Sequence, residues 1–182
     1  MAQKATIFKA DLAVADMDRG HFATHALTLA RHPSETDERM MVRLLAFALH
    51  ADDALAFGRG LSSEDEADLA LRDLTGAVQL WIDVGLPDER SLRKASGRSV
   101  RVIVYAYGGR AVDLWWNKSR DALERLPNFS AFVVPPEASQ ALARLAQRTM
   151  QLQCTVQDGQ LWFSNATETV AVTLTVLAQQ QV

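Results

Sequence analysis

Between Asp68 and Asp83, apolar and polar residues alternate on both sides of Thr75-Gly76, and this pattern restricts the fold more than any other stretch of the chain. Successive side chains of a strand point to opposite faces, and two alternating runs around a glycine-containing pair read as a β-hairpin. With Leu74 facing Ala77, the ladder is expected to pair Arg72 with Gln79, Ala70 with Trp81 and Asp68 with Asp83. Leu69, Leu71, Leu80, Ile82 and Val84 then share one apolar face, whereas a slip of one residue turns all of them outward. The same register sets two aspartates directly opposite one another.

Opposed residues have Cβ atoms about 4.5–5.5 Å apart, close enough for like charges to disfavour the pairing. A divalent cation shared by both carboxylates would relieve the repulsion, since Mg²⁺ (or Mn²⁺) prefers carboxylate oxygens with a few waters. Protonation of one aspartate, or an arginine partner, would relieve it equally well. Two more charges belong with this pair. Glu38 lies near the start of an expected helix, on the side of Met41 and Leu45 that packs on the sheet, where its carboxylate can reach a metal or simply favour the helix amino terminus. Lys94 lies about two turns into a short helix, Asp88 to Ser96. Its long side chain can swing toward the carboxylates and assist a water there, or lie on a solvated face.

Around this segment the sequence reads as a mixture of hairpins and helices, hence a layered α/β (α+β) domain. Two β-type runs from Ala5 to Ala30 flank Asp16-Met-Asp-Arg-Gly20, and His32-Pro-Ser-Glu35 starts a helix with Ser34 as expected N-cap, fading near Ala51 to Leu55. Phe57-Gly-Arg-Gly60 is a break and Ser62-Ser-Glu-Asp-Glu66 an acidic loop. Ser99 to Tyr107 reads as a central strand, followed by a Gly108-Gly109 turn, a helix near Lys118 to Leu126 and a strand from Phe129 to Val134. A helix from Glu137 to Gln147, a hairpin of Met150–Gln157 and Leu161–Ser164 on Asp158-Gly159, and a closing strand Thr169 to Leu177 complete the chain.

A chain of 182 residues, 48% of them hydrophobic and 23% charged, suits one domain over 1–182. Such a domain buries roughly 70% of its unfolded surface. No apolar run approaches the about 18 residues of a membrane helix, and Met1-Ala-Gln-Lys-Ala precedes no long apolar segment, so a cytoplasmic protein without membrane contact is expected. Cys154 stands alone, which fits a reducing compartment and a buried filler role. A net charge of -3 confines any nucleic-acid contact to a local patch. Arg90, Arg93, Lys94, Arg98 and Arg101 are the densest basic segment, of which Arg90, Arg93, Lys94 and Arg101 could meet a phosphate backbone beside the acids, or form an ordinary solvated face. Trp81, Trp115 and Trp116 read as core rather than base-stacking residues, and His21 and His25 have a metal-like spacing without a third ligand. No nucleophile elbow, phosphate-binding loop or dinucleotide fingerprint occurs.

Over essentially its whole length the chain resembles the YaeQ proteins of proteobacteria. The resemblance rests on Arg31-His-Pro-Ser-Glu-Thr-Asp-Glu-Arg-Met-Met-Val-Arg-Leu-Leu-Ala-Phe-Ala-Leu49, Gly60-Leu-Ser-Ser-Glu-Asp-Glu-Ala-Asp-Leu69, Leu80-Trp-Ile-Asp-Val-Gly-Leu-Pro-Asp-Glu-Arg-Ser-Leu-Arg-Lys-Ala95 and Val104-Tyr-Ala-Tyr-Gly108. It implies a variant of the PD-(D/E)XK restriction-endonuclease-like core, a mixed β-sheet flanked by helices, with extra β-hairpins. In such nucleases a helix glutamate and two strand acids hold Mg²⁺, and a lysine two residues after the second acid assists the attacking water. By that resemblance Glu38 matches the helix acid, Asp68 and Asp83 the strand acids, and the metal would polarise a phosphodiester. Ala67 replaces the proline expected before the first aspartate, and Gly85 stands where the lysine is expected, so Lys94 would have to reach over from the next helix. Two functions follow as expectations: a metal-dependent phosphodiester hydrolase acting on nucleic acid, or a catalytically silent binding or regulatory module on the same scaffold, linked for instance to transcription.

Overall fold

The computed structural model describes residues 4–59 and 65–180. Gly60 and most of the Ser62–Glu66 loop, like the first three residues, lie outside the described residues. The chain opens on an antiparallel hairpin of β1 (Thr6–Asp16) and β2 (His21–Arg31), as the first β-type runs lead one to expect. Helix α1 (Asp37–Leu49) follows, capped by Thr36, whose Oγ1 accepts from the Arg39 amide at 3.1 Å. Ser34 is therefore not the cap; it lies two residues before Thr36, where its hydroxyl meets His32 Nδ1 at 2.7 Å, and the side chain three residues ahead of the free Arg39 N–H is that of Thr36.

Helix α1 is hydrophobic on almost every side, and Met40 to Ala48 are all buried. It can only be so because elements pack on it from two directions. One sheet has the order β10-β9-β8-β1-β2, in which β8 (Thr149–Gln157), β9 (Gln160–Ser164) and β10 (Thr169–Val172) extend the hairpin through a parallel β1–β8 pairing. The other has the order β11-β7-β6-β5-β4-β3. In it β3 (Leu55–Phe57), β4 (Leu69–Arg72) and β5 (Val78–Val84) form an antiparallel meander. Helices α2 (Glu89–Arg98) and α3 (Arg110–Leu123) then carry the chain to β6 (Ser99–Ala106) and β7 (Phe129–Val133), parallel to β5. Such parallel pairing requires crossover connections.

Among the described residues the fold thus has two mixed sheets and four helices. Helices α1 and α4 (Pro136–Ala143) lie in the larger core between the sheets, while Leu92, Ala95, Val112 and Trp116 of α2 and α3 build a second core on the outer face of the second sheet. No helix among the described residues is long and apolar enough to cross a membrane. Cys154 is buried, and burial, reinforced by Asp16, pushes its thiol up to about 12.

Several boundaries differ from the sequence reading for local reasons. Helix α3 begins at Arg110, eight residues before Lys118, because Gly109 adopts φ 63° and turns the chain straight into a helix whose buried residues are Val112, Trp116, Ser119 and Leu123. It stops at Leu123, and α4 at Ala143, each short of the expected end. The closing strand is two: β10 pairs with β9, then β11 (Thr175–Ala178) crosses to β7 of the other sheet. The three-residue β3 is too short to leave a periodic signal.

One ion pair lies inside the main core. Arg43 is fully buried, and its Nε and Nη2 each donate at 2.8 Å to the two oxygens of Glu35, while Nη2 also reaches the Ala30 carbonyl at 3.1 Å. Removing one member of such a pair leaves an uncompensated buried charge. Glu35→Ala is expected to lower the unfolding free energy by about 3–5 kcal/mol. The double change Glu35→Ala, Arg43→Met should cost less than the single one, a comparison that urea unfolding curves provide.

Candidate functional site

The hairpin that the sequence singles out forms with Leu69 opposite Ile82, Ala70 opposite Trp81 and Leu71 opposite Leu80, the register anticipated from alternation. The turn is different. Asp73 organises it: its amide donates to the Ala77 carbonyl and its carboxylate accepts from Thr75, Ala77 and Gln79, while Gly76 takes φ 87°. This loop is longer than a Thr75-Gly76 turn, and a register shift between Leu71 and Arg72, which brings Arg72 to Val78, absorbs the difference. The far end of the ladder is unaffected.

At that far end Asp68 and Asp83 come together. Both are buried, 1% and 6% exposed, and the Asp68 amide approaches Asp83 Oδ1 at 3.4 Å. Asp68 Oδ2 accepts from the Val84 amide at 2.8 Å, and Asp68 Oδ1 accepts from Arg39 Nη2 at 2.7 Å. The other arm of Arg39 donates to Glu35 Oε1 at 3.1 Å, so the side chain bridges the Glu35–Arg43 pair and the aspartates. Burial works against the Arg39 charge, but Asp68 and then Glu35 outweigh it and raise its pKa. Asp68 is itself pushed up by burial and pulled back by Arg39. Asp83 forms no ion pair among the described residues, and burial, then the neighbouring Asp68, push it up to about 6.

The remaining expected members are placed elsewhere. Glu38 Oε1 accepts from Ser139 Oγ of α4 at 2.6 Å, tying the two central helices together. No three His, Cys, Asp or Glu side chains among the described residues converge as metal ligands. Lys94 sits half-buried on α2, between Leu92 and Ala95 of the second core. Arg90 is exposed on the same helix, and Arg93 pairs with Glu89. Arg101 faces the opposite side of the second sheet, beside Ile103 and Tyr105, so the basic residues expected in one patch are divided between two faces. Gly85 has φ 103°, a conformation that would strain a lysine at the position where the resemblance expects one.

Trp81 and Trp116 are buried in the second core and Trp115 donates to the Pro87 carbonyl at 2.7 Å, in keeping with a core role. His21 and His25 stack with their Nε2 atoms 3.1 Å apart, and Asp53 lies 3.8 Å from His25. The residues that sequence reasoning overlooked are Glu35, Arg39 and Arg43. Their signal was present: they recur at intervals of four, and Arg43 falls inside the apolar run of α1, where a charge must find a partner.

Fold and site together define a mixed α/β protein of two sheets and four helices among the described residues, with a buried acidic pair clamped by an arginine. The family model described as YaeQ protein matches residues 1–174, and the chain belongs to that family. It is 46% identical to YaeQ of Salmonella typhi and 44% identical to YaeQ of Escherichia coli (strain K12), in each case over 98% of this chain and 99% of the relative. The crystal structure of YaeQ from Xanthomonas axonopodis pv. citri superposes with a TM-score of 0.91 at 50% identity, covering 95% of this chain and 98% of that one. YaeQ from Pseudomonas syringae gives 0.92 at 36% identity, covering 96% and 97%.

The position of Asp83 makes stability depend on pH. Its folded pKa of about 6 exceeds the unfolded value near 4. The native state therefore holds the extra proton in that window, and stability is lost as pH rises through it. Between pH 4 and 7, wild type should lose on the order of 2 kcal/mol relative to Asp83→Asn. Urea midpoints of the two proteins across that range test this.

Proposed function

We propose that this chain is a variant of the PD-(D/E)XK nuclease-like core that works as a binding or regulatory module, its acidic centre closed by Arg39. The observation that carries this reading is the Arg39 bridge from Glu35 to Asp68, with both Asp68 oxygens engaged, one by the guanidinium and one by the Val84 amide. The repulsion between the two aspartates is relieved here by Arg39 and, below about pH 6, by a proton on Asp83. Glu38 is committed to Ser139. In this arrangement the residues do not fit Mg²⁺ or Mn²⁺, which would need several carboxylate oxygens turned to one point. The fold core supports the superfamily reading: a mixed sheet with helices on both faces, and two acids together at one end of neighbouring strands, Asp68 just before β4 and Asp83 in β5.

One observation favours the hydrolase reading instead, namely that Asp68 and Asp83 adjoin one another just beyond the Leu69–Ile82 pair. For that chemistry Arg39 would have to release Asp68 and Glu38 would have to leave Ser139, so that Glu38, Asp68 and Asp83 could hold the metal, with Lys94 as the basic assistant. Arg90 and Arg93, exposed on α2, are the groups that a nucleic-acid backbone would meet under either reading.

Calorimetric titration with MgCl₂ and MnCl₂ separates the two. The module reading expects no saturable binding to wild type at millimolar metal. Binding by wild type that disappears in Asp68→Asn and Asp83→Asn, followed by cleavage of single-stranded, double-stranded or branched DNA or RNA, would replace it with the hydrolase. The module reading also expects salt-dependent binding of labelled oligonucleotides without cleavage. The double change Arg90→Ala, Arg93→Ala should weaken that binding, as anisotropy titrations at two salt concentrations would show.

A further inference from the structure

A cavity of about 490 Å³ opens on the α1 side of the second sheet, at the end of the sheet where β6 enters. Its apolar wall is made by Ile103, Tyr105 and Phe132, and its polar groups include His50, Arg101 and Ser130. Its volume is in the range of sites for small organic ligands, about 300–1,000 Å³. Three features define what it can take.

The first is an aromatic surface. Tyr105 and Phe132 stack with ring centroids 5.7 Å apart and 22° between planes, and Phe132 remains partly open. The second is a fixed dipole. His50, the C-cap of α1, has Nε2 2.6 Å from the Tyr105 hydroxyl. Burial, then the charges of Arg19 and Arg101, hold His50 down to about 3, while burial raises Tyr105, so a neutral imidazole meets a neutral phenol. The third is an uncompensated cation. Arg101 is exposed at the cavity and, among the described residues, forms no ion pair or side-chain hydrogen bond and no Asp or Glu lines the cavity.

We infer that this cavity binds a small planar organic anion of the aromatic carboxylate class, its ring against Phe132 and Tyr105 and its carboxylate on Arg101. Planar ligands gain offset or edge contacts with aromatic walls. A guanidinium presents a planar fork that matches a carboxylate. A neutral His50 leaves Arg101 as the charged anchor, and the Ser130 hydroxyl, which accepts from the Gln180 amide at 3.2 Å, stands at the same wall.

Benzoate is the probe, with benzamide as its neutral counterpart and acetate as an anion without a ring. In a heteronuclear NMR titration at millimolar concentrations, benzoate is expected to shift the signals of His50, Ile103 and Phe132 saturably. Benzamide and acetate should bind at least about tenfold more weakly, and so should benzoate to Arg101→Gln. Arg101 is exposed, so that variant keeps its fold, and Phe132→Leu provides a second, size-preserving test of the ring contact. Asp68→Asn should bind benzoate like wild type, which separates this site from the acidic centre. Shifts confined to other residues, equal binding of benzamide, or an unchanged affinity in Arg101→Gln would each overturn the inference.

Discussion

The bidentate contact between Arg43 and Glu35 is the constraint around which the molecule is arranged. Desolvating two charges costs several kcal/mol per ion, and only good geometry with further hydrogen bonds offsets that. Arg43 meets those conditions on one side, with Nε and Nη2 on the carboxylate and Nη2 also on the Ala30 carbonyl, while its buried Nη1 has no hydrogen-bond partner among the described residues. The contact joins the segment before α1, the end of β2 and the middle of α1, so it fixes how the helix enters the space between the sheets. A helix buried from Met40 to Ala48 has no solvated face that would orient it otherwise. The charge pair supplies an orientation that the apolar residues alone, being nearly uniform around the helix, do not.

Once α1 is oriented, adjacent residues of its first turn are dealt different tasks. Successive helical residues are about 100° apart around the axis, following from about 3.6 residues per turn. Glu38 accordingly meets Ser139 of α4, and Arg39 meets Asp68 at the end of β4. Two guanidiniums, Arg43 and Arg39, are then set against three carboxylates, Glu35, Asp68 and Asp83. The carboxylate left over is the one without an ion pair, and it is the one whose pKa rises to about 6. Below about pH 6 the acidic centre thus approaches neutrality through an arginine and a proton; above it Asp83 is ionised and Arg39 is the ion-pair partner of the aspartates.

Much of this was legible in the sequence, and the parts that were not have identifiable causes. The β4–β5 register was readable because Leu69, Leu80 and Ile82 must all face α1, and only one pairing achieves that. The turn was misread because Asp73 supplies side-chain acceptors that a two-residue template ignores. The aspartate pair could be located from one hairpin, whereas its partner could not: Arg39 comes from a helix 29 residues earlier, and alternation within a hairpin carries no information about it. The split of the last strand was equally invisible, since Thr169–Val172 and Thr175–Ala178 have the same character and only the tertiary arrangement decides which sheet each joins. Glu38 could be offered from its place near the helix start, and the family resemblance matched it with Asp68 and Asp83, but its engagement by Ser139 depends on α4, which lies a hundred residues further along the chain.

Helix α1 also explains why two chemically opposite sites coexist. Its amino-terminal turn carries Asp37 to Arg39 beside the acidic centre, and its C-cap is His50 at the aromatic cavity, with Arg101 lining that cavity. Thirteen residues at about 1.5 Å each separate the ends of the helix by roughly 20 Å. The helix dipole is directed so that its positive end faces the carboxylates and its negative end faces Arg19 and Arg101, whose effect there exceeds that of Asp16. Each cluster is therefore placed at the end of α1 that lowers its electrostatic cost, and exchanging the two would make both unfavourable. The second sheet joins the two ends as well: Val84, whose amide donates to Asp68, pairs with Tyr105 of the cavity wall across β5 and β6.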